Sequence, residues 1–126
     1  MVHSKLTKVV KDGPKLNVRF FRQEASESEP VRDWLRSLPE DERKVVGEDI
    51  KAVQYGWPLG LPLVDHLDGD IWEVRSGLGN RIARVLFAVE QTLMILLHGF
   101  IKKTRKTPLS DLQIAKKRLN RMRGMK

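Results

Sequence analysis

The chain has no cysteine, a single tyrosine and no long apolar run, and from His98 to Lys126 it has only one acid, Asp111. Each shortage excludes something. Without cysteine there is no disulfide framework, no thiolate nucleophile and no zinc site of the usual cysteine type. No apolar run approaches the roughly 18 residues that a membrane-crossing helix needs. The opening "MVHSKLTKVVKDGPK" scatters lysines and lacks an apolar stretch, so no secretory signal is expected. A cytoplasmic protein with no membrane partner fits these features. Neither His66 nor His98 sits in a metal-binding pattern and the acids are scattered, so no metal and no cofactor are expected. "GLGN" lacks the lysine and spacing of a phosphate loop and is explained as a hairpin turn.

What is present is positive charge in one place. The 126 residues carry a net charge of +8. From His98 onward there are ten Lys/Arg against Asp111, while the rest of the chain holds fourteen basic and fifteen acidic residues. The whole excess therefore lies in the last quarter, the electrostatic footprint of a polyanion binder. Its most concentrated part is "LLHGFIKKTRKTP", where an apolar strand-like run turns directly into Lys102, Lys103, Arg105 and Lys106.

The length suits one domain with a modest core, and we divide it into a basic arm (1–15) and a single domain (16–126). "LNVRFF" alternates as a first strand. Ser28 caps a predicted helix with Pro30 in its first turn, and Val31, Trp34, Leu35 and Leu38 form its apolar stripe. A second helix begins at Pro39, whose "PEDE" sets acids at the positive end of the dipole, and stops near Gly56. Nine acids to four bases between Gln23 and Asp49 make this hairpin a poor anion-binding surface. "GWPLGLPLVDHLDGD" reads as a loop. "IWEVRS", "RIARVLFAVE" and "TLMILLHGFI" read as antiparallel strands joined by short turns. Thr107 caps a last helix with Pro108 at its first position and a basic outer surface. The fold class expected is α+β, two layers, with a mainly antiparallel sheet covered on one face by the helical hairpin and flanked by the basic C-terminal helix.

Strand alternation sorts the charges. Trp72 and Val74 point toward the helical hairpin; Glu73 and Arg75 point away, Arg84 shares a face with Ile82 and Leu86, and His98, Phe100 and Lys102 lie together. A charge inside a strand as apolar as "ARVLF" needs a partner or water. One reading of Arg84 is a salt bridge to Glu73. The functional reading sets Arg75 and Arg84 on an open sheet surface, with Lys102, Lys103, Arg105 and Lys106 on its rim, where arginine forks grip phosphate and fixed cations stabilise a phosphorane-like transition state. Arg81, Arg105, Lys106, Lys116 and Lys117 are the candidate RNA contacts. Glu73 and His98 are candidates for acid–base work. The three tryptophans read as packing.

These residues, from "DIWEVRSGLGNRIARVLFAVEQTLMILLHGFIKKTRKTP" through the basic helix, resemble the phage-derived HigB-like branch of the RelE/ParE toxin superfamily. The resemblance implies a RelE-like fold and the toxin of a type II module, bound by a cognate antitoxin of helix-turn-helix type. It also implies a metal-independent endoribonuclease acting on mRNA in the ribosomal A site, where the 2′-hydroxyl attacks the adjacent phosphate and leaves a 2′,3′-cyclic phosphate. By position Arg84 matches the arginine that contacts the scissile phosphate. Lys102 and Lys103 match the basic pair after the last strand, and Arg75 a basic residue of the preceding one. Ile71 and Glu73 stand where RelE has lysines, so both Glu73 and His98 remain candidates for the base. A ParE-like gyrase poison and a non-catalytic nucleic-acid-binding module are the alternatives. The nuclease reading requires Arg84 to be open to solvent near the lysine pair.

Overall fold

The structure, a computed structural model, describes residues 13–124. Most of the expected basic arm, residues 1–12, lies outside the described residues. The elements are β1 (Asn17–Phe20), α1 (Pro30–Ser37), α2 (Glu40–Gly56), β2 (Val64–Asp68), β3 (Ile71–Leu78), β4 (Arg81–Glu90), β5 (Leu93–Lys102) and α3 (Leu109–Met122). The five strands form one open sheet in the order β1-β5-β4-β3-β2, antiparallel except for β1, which runs parallel to β5.

Short turns dictate the meander. Gly69 and Gly79 take left-handed φ values of 56° and 71°, as does Gln91 at 57°, which closes the β2–β3, β3–β4 and β4–β5 connections in a few residues. Within β4 the alternation is strict: Ala83, Val85 and Phe87 enter one core and Leu86 and Ala88 the other. In β5 the pairing shifts between Leu86↔His98 and Phe87↔Leu96, leaving Leu97 as the extra residue of a bulge. The bulge reverses the facing of every later residue in the strand. Ile95 and Leu97 join the same core as Phe100, and His98 and Lys102 follow Phe100 onto that face.

Two cores result, and this corrects the two-layer expectation. On one face Val31, Val46, Ile50 and Val53 of α1 and α2 pack on Val74, Val85, Phe87 and Leu96. On the other, Ala115 and Leu119 of α3 cover Ile71, Leu86, Ala88, Ile95 and Leu97. Each such fully buried aliphatic side chain contributes about 1.5–3 kcal/mol, enough to hold α3 on the sheet rather than beside it. Trp57 meets Trp72 and Phe87 edge to face, with centroids 5.0 and 5.7 Å apart, so these tryptophans pack as expected.

Three local expectations change. The segment read as a loop contains β2, whose Val64, Asp65 and His66 pair with Val74, Glu73 and Trp72. Glu29, not Ser28, precedes α1 at the cap position, with Pro30 in the first turn as expected. Thr107 does not cap α3: Pro108 occupies that position, and the Thr107 hydroxyl is engaged elsewhere. No helix among the described residues is long and apolar enough to cross a membrane.

Candidate active site

The alternation of β3 and β4 and the bulge of β5 bring Glu73, Arg75, Arg84, His98 and Lys102 onto the face that α3 covers. Arg75 stands opposite Arg84, Glu73 opposite Leu86, and Leu86 opposite His98. The segment between β5 and α3 folds back over them. Arg75 Nη1 donates to the Arg105 carbonyl at 3.4 Å, and Thr107 Oγ1 donates to Glu73 Oε1 at 2.5 Å.

Arg84 is consequently buried, with 0% of its side chain exposed. The expectation of an open basic floor is wrong at its centre, because α3 and the segment ending at Thr107 close the face that the helical hairpin leaves free. The salt-bridge reading of Arg84 holds in weak form: its Nε lies 3.9 Å from Glu73 Oε1, too far for a hydrogen bond. Arg84 Nη1 reaches the Thr107 hydroxyl at 3.4 Å, while Nε and Nη2 donate to no group among the described residues. Burial pulls the Arg84 guanidinium below the usual arginine range; Glu73 opposes that shift and Arg75 adds to it. Glu73 is also fully buried, and its Oε2 accepts from Arg75 Nη1 at 2.9 Å. The node is thus one carboxylate between two guanidiniums, with a hydroxyl inserted between the carboxylate and the deeper arginine.

His98 occupies the neighbouring position. Its Nε2 donates to Asp111 Oδ1 at 2.8 Å, and Lys102 Nζ lies 3.3 Å from the other oxygen of that carboxylate. Burial lowers the His98 pKa from the usual 6.5, with the Asp111 hydrogen bond opposing the shift. Asp111, in the first turn of α3, is a buried partner that sequence reasoning missed. Its spacing from the basic run was visible, but its contact with His98 depends on α3 turning back over the sheet.

The remaining candidates separate into groups. Lys103, Arg105 and Lys106 are exposed on the segment over the node and pair with no acid among the described residues. With Lys102 they make a cationic rim. Arg81 does not belong to it: it points to the opposite face, where its Nη2 contacts the Glu42 carboxylate of α2. Lys116 is held elsewhere by Asp68, whose carboxyl its ammonium keeps below the usual range. Lys117 lines a different groove, with Arg118 and Arg121. β4 alternation and the circumference of α3 place these three side chains away from the rim.

An α+β fold, a five-stranded mostly antiparallel sheet with three helices, and a buried Glu–Arg–Arg node under a cationic rim define the class of protein. Among known families, the phage-derived protein Gp49-like family (DUF891) matches residues 33–120, and the chain belongs to this family, a RelE/toxin-like type. The match begins in α1 and runs to the last turns of α3, so it includes the node and the rim. No curated protein matches the chain.

Proposed function

We propose that the protein is the HigB-like toxin of a type II toxin–antitoxin module and cleaves mRNA in the ribosomal A site without a metal. The observation that carries this reading is the Thr107 hydroxyl, which donates to Glu73 Oε1 beside Arg84. A hydroxyl held between a carboxylate and a guanidinium is placed as a ribose 2′-hydroxyl needs to be placed for deprotonation next to a phosphate. The closed arrangement does not meet the requirement that Arg84 be open to solvent, so the proposed reaction includes withdrawal of the 103–107 segment, which uncovers Arg84 and lets the 2′-hydroxyl take the place of Thr107. Glu73 accepts its proton, the 2′-oxygen forms a bond to the adjacent phosphorus, and the bond to the 5′-oxygen breaks. Solvent supplies the proton to the leaving oxygen. Arg84, whose Nε and Nη2 donate to no group among the described residues, and Arg75 neutralise the charge that gathers on the phosphoryl oxygens. His98 serves as a positioning residue through Asp111; burial lowers its pKa, so the ring holds little of the protonated form needed for a general acid at neutral pH. Lys102, Lys103, Arg105 and Lys106 guide the strand inward.

Induction of the protein in cells, followed by primer extension on abundant transcripts, tests this. New 5′ ends inside coding regions are expected for the wild type and lost in a stably folded Arg84→Ala variant. A second reading, a non-catalytic polyanion-binding module, is favoured by the full burial of Glu73 and Arg84. It predicts RNA binding with no new ends from either protein.

A further inference from the structure

Residues 103–107, between β5 and α3, belong to no helix or strand and lie over the node as a strap. The two ends of the strap are clasped together. Lys102 Nζ, at the end of β5, lies 3.3 Å from one oxygen of Asp111 in the first turn of α3, and His98 holds the other oxygen. The middle is latched to the node through side chains. Arg75 Nη1 donates to the Arg105 carbonyl at 3.4 Å, Arg84 Nη1 to Thr107 Oγ1 at 3.4 Å, and Thr107 Oγ1 to Glu73 Oε1 at 2.5 Å. The last of these has a charged acceptor and is the shortest, so it is the strongest part of the latch.

The strap covers a group that is not satisfied beneath it. Arg84 is fully buried, yet its Nε and Nη2 donate to no group among the described residues. These two nitrogens form one edge of the guanidinium, the edge that takes two oxygens of a phosphate side by side. Buried donors without an acceptor oppose the closed arrangement. So does charge: Lys103, Arg105 and Lys106 pair with no described acid and stand above two guanidiniums that share one carboxylate. Closure therefore depends on the Thr107 latch.

We infer that the closed strap is an autoinhibited state, and that a phosphodiester strand opens it by binding the strap's own cations, an inference that rests on the reading that phosphates reach Arg84. A ligand shifts such an equilibrium only by binding one state more tightly than the other. Over the closed strap a strand meets Lys102, Lys103, Arg105 and Lys106. Once the strap lifts, the same strand also gains the free edge of Arg84 and the Arg75 guanidinium. A lone phosphate cannot hold the rim and the node at once, so it lacks that difference. Thr107 is then a latch residue, whose hydroxyl fills the place that the ligand takes.

The chain has no cysteine, so two can be added for spin labels: Thr104→Cys on the strap and Glu48→Cys on α2, both exposed and on opposite faces of the sheet. Their separation is read by double electron–electron resonance. The free protein should show one separation. Oligouridylate should add a longer one, and inorganic phosphate at equal phosphorus concentration should add none. Thr107→Val should show the longer separation without ligand, with the open-to-closed ratio raised about tenfold or more, the effect of losing a hydrogen bond to a charged group. Thr107→Ser should keep the closed separation, and a thermal melt checks each fold. If Thr107→Val does not fold, the oligouridylate and phosphate arms decide the matter. A separation unmoved by oligouridylate, equal movement by phosphate, or a folded Thr107→Val that stays closed would each overturn the proposal. The readout is a distance and not cleavage. A strap that opens on mRNA left uncut therefore defeats the nuclease reading alone, and mRNA cut under a strap that never opens defeats this inference alone.

Discussion

Arg75 and Arg84 stand directly opposite each other on β3 and β4, two guanidiniums on one face with Glu73 beside them. Like charges facing across a ladder destabilise it. Here the arrangement depends on a buried carboxylate, so the node is coupled rather than a set of independent pairs.

That coupling is measurable. Removing one partner of a buried ion pair typically costs about 3–5 kcal/mol, because the other charge is left uncompensated. Glu73→Leu and Arg84→Met should each destabilise by about that much, and the double variant by clearly less than the sum. Urea unfolding of all four proteins checks this; additive losses would mean that the two side chains do not interact.

The pH dependence of stability should carry the signature of His98. Its folded pKa lies below the usual 6.5 because burial opposes the charged ring. As pH falls through 6.5 the unfolded chain takes up a proton that the folded chain resists. The folded state therefore loses stability from about pH 6.5 down to the lowered pKa, and above 6.5 this group contributes no slope. His98→Gln should flatten that interval in denaturant titrations read at successive pH values, leaving the carboxylate-driven fall at lower pH in place.

Gly99 is a steric prediction. A Cβ there would meet Trp34 ring atoms at 2.4, 2.7 and 2.8 Å. Gly99→Ala should displace α1 from β5 and cost about 1–3 kcal/mol, the usual range for overpacking a core. The melting temperature should drop and Trp34 fluorescence should change, whereas Gly77→Ala, with open space around its added methyl, should leave both nearly unmoved.

The cationic rim predicts a salt slope. Each phosphate contact with a single strand contributes about −0.7 to the slope of log K against log salt. Replacing Lys103 and Arg105 by glutamine should therefore reduce the slope for oligouridylate by about 1.4, with no change in melting temperature. Arg81→Gln should leave the slope unaltered, since Arg81 is engaged by Glu42 on the opposite face.

Much of this was legible in the sequence, for identifiable reasons. The β3–β4–β5 meander follows from strand-length apolar segments broken by short turns, and strand alternation placed Glu73, Arg75 and Arg84 together. What it did not convey was the cover. Ala115 and Leu119 of α3 gave the correct apolar stripe, but nothing local says that the stripe lies on the same face as Arg84. β2 was hidden by the prolines and glycines before it and by its three polar residues, Asp65, His66 and Asp68, in a strand of five. Thr107 shows a local signal overridden: threonine before proline favours a cap, yet a buried carboxylate claims the hydroxyl.

The most direct test is end-group analysis of an mRNA on programmed ribosomes incubated with the purified protein. The account predicts cuts in the A-site codon that leave a 2′,3′-cyclic phosphate and a 5′-hydroxyl, lost in folded Glu73→Gln and Arg84→Lys variants. Intact mRNA with the wild-type protein, or equal cutting by those variants, would contradict it.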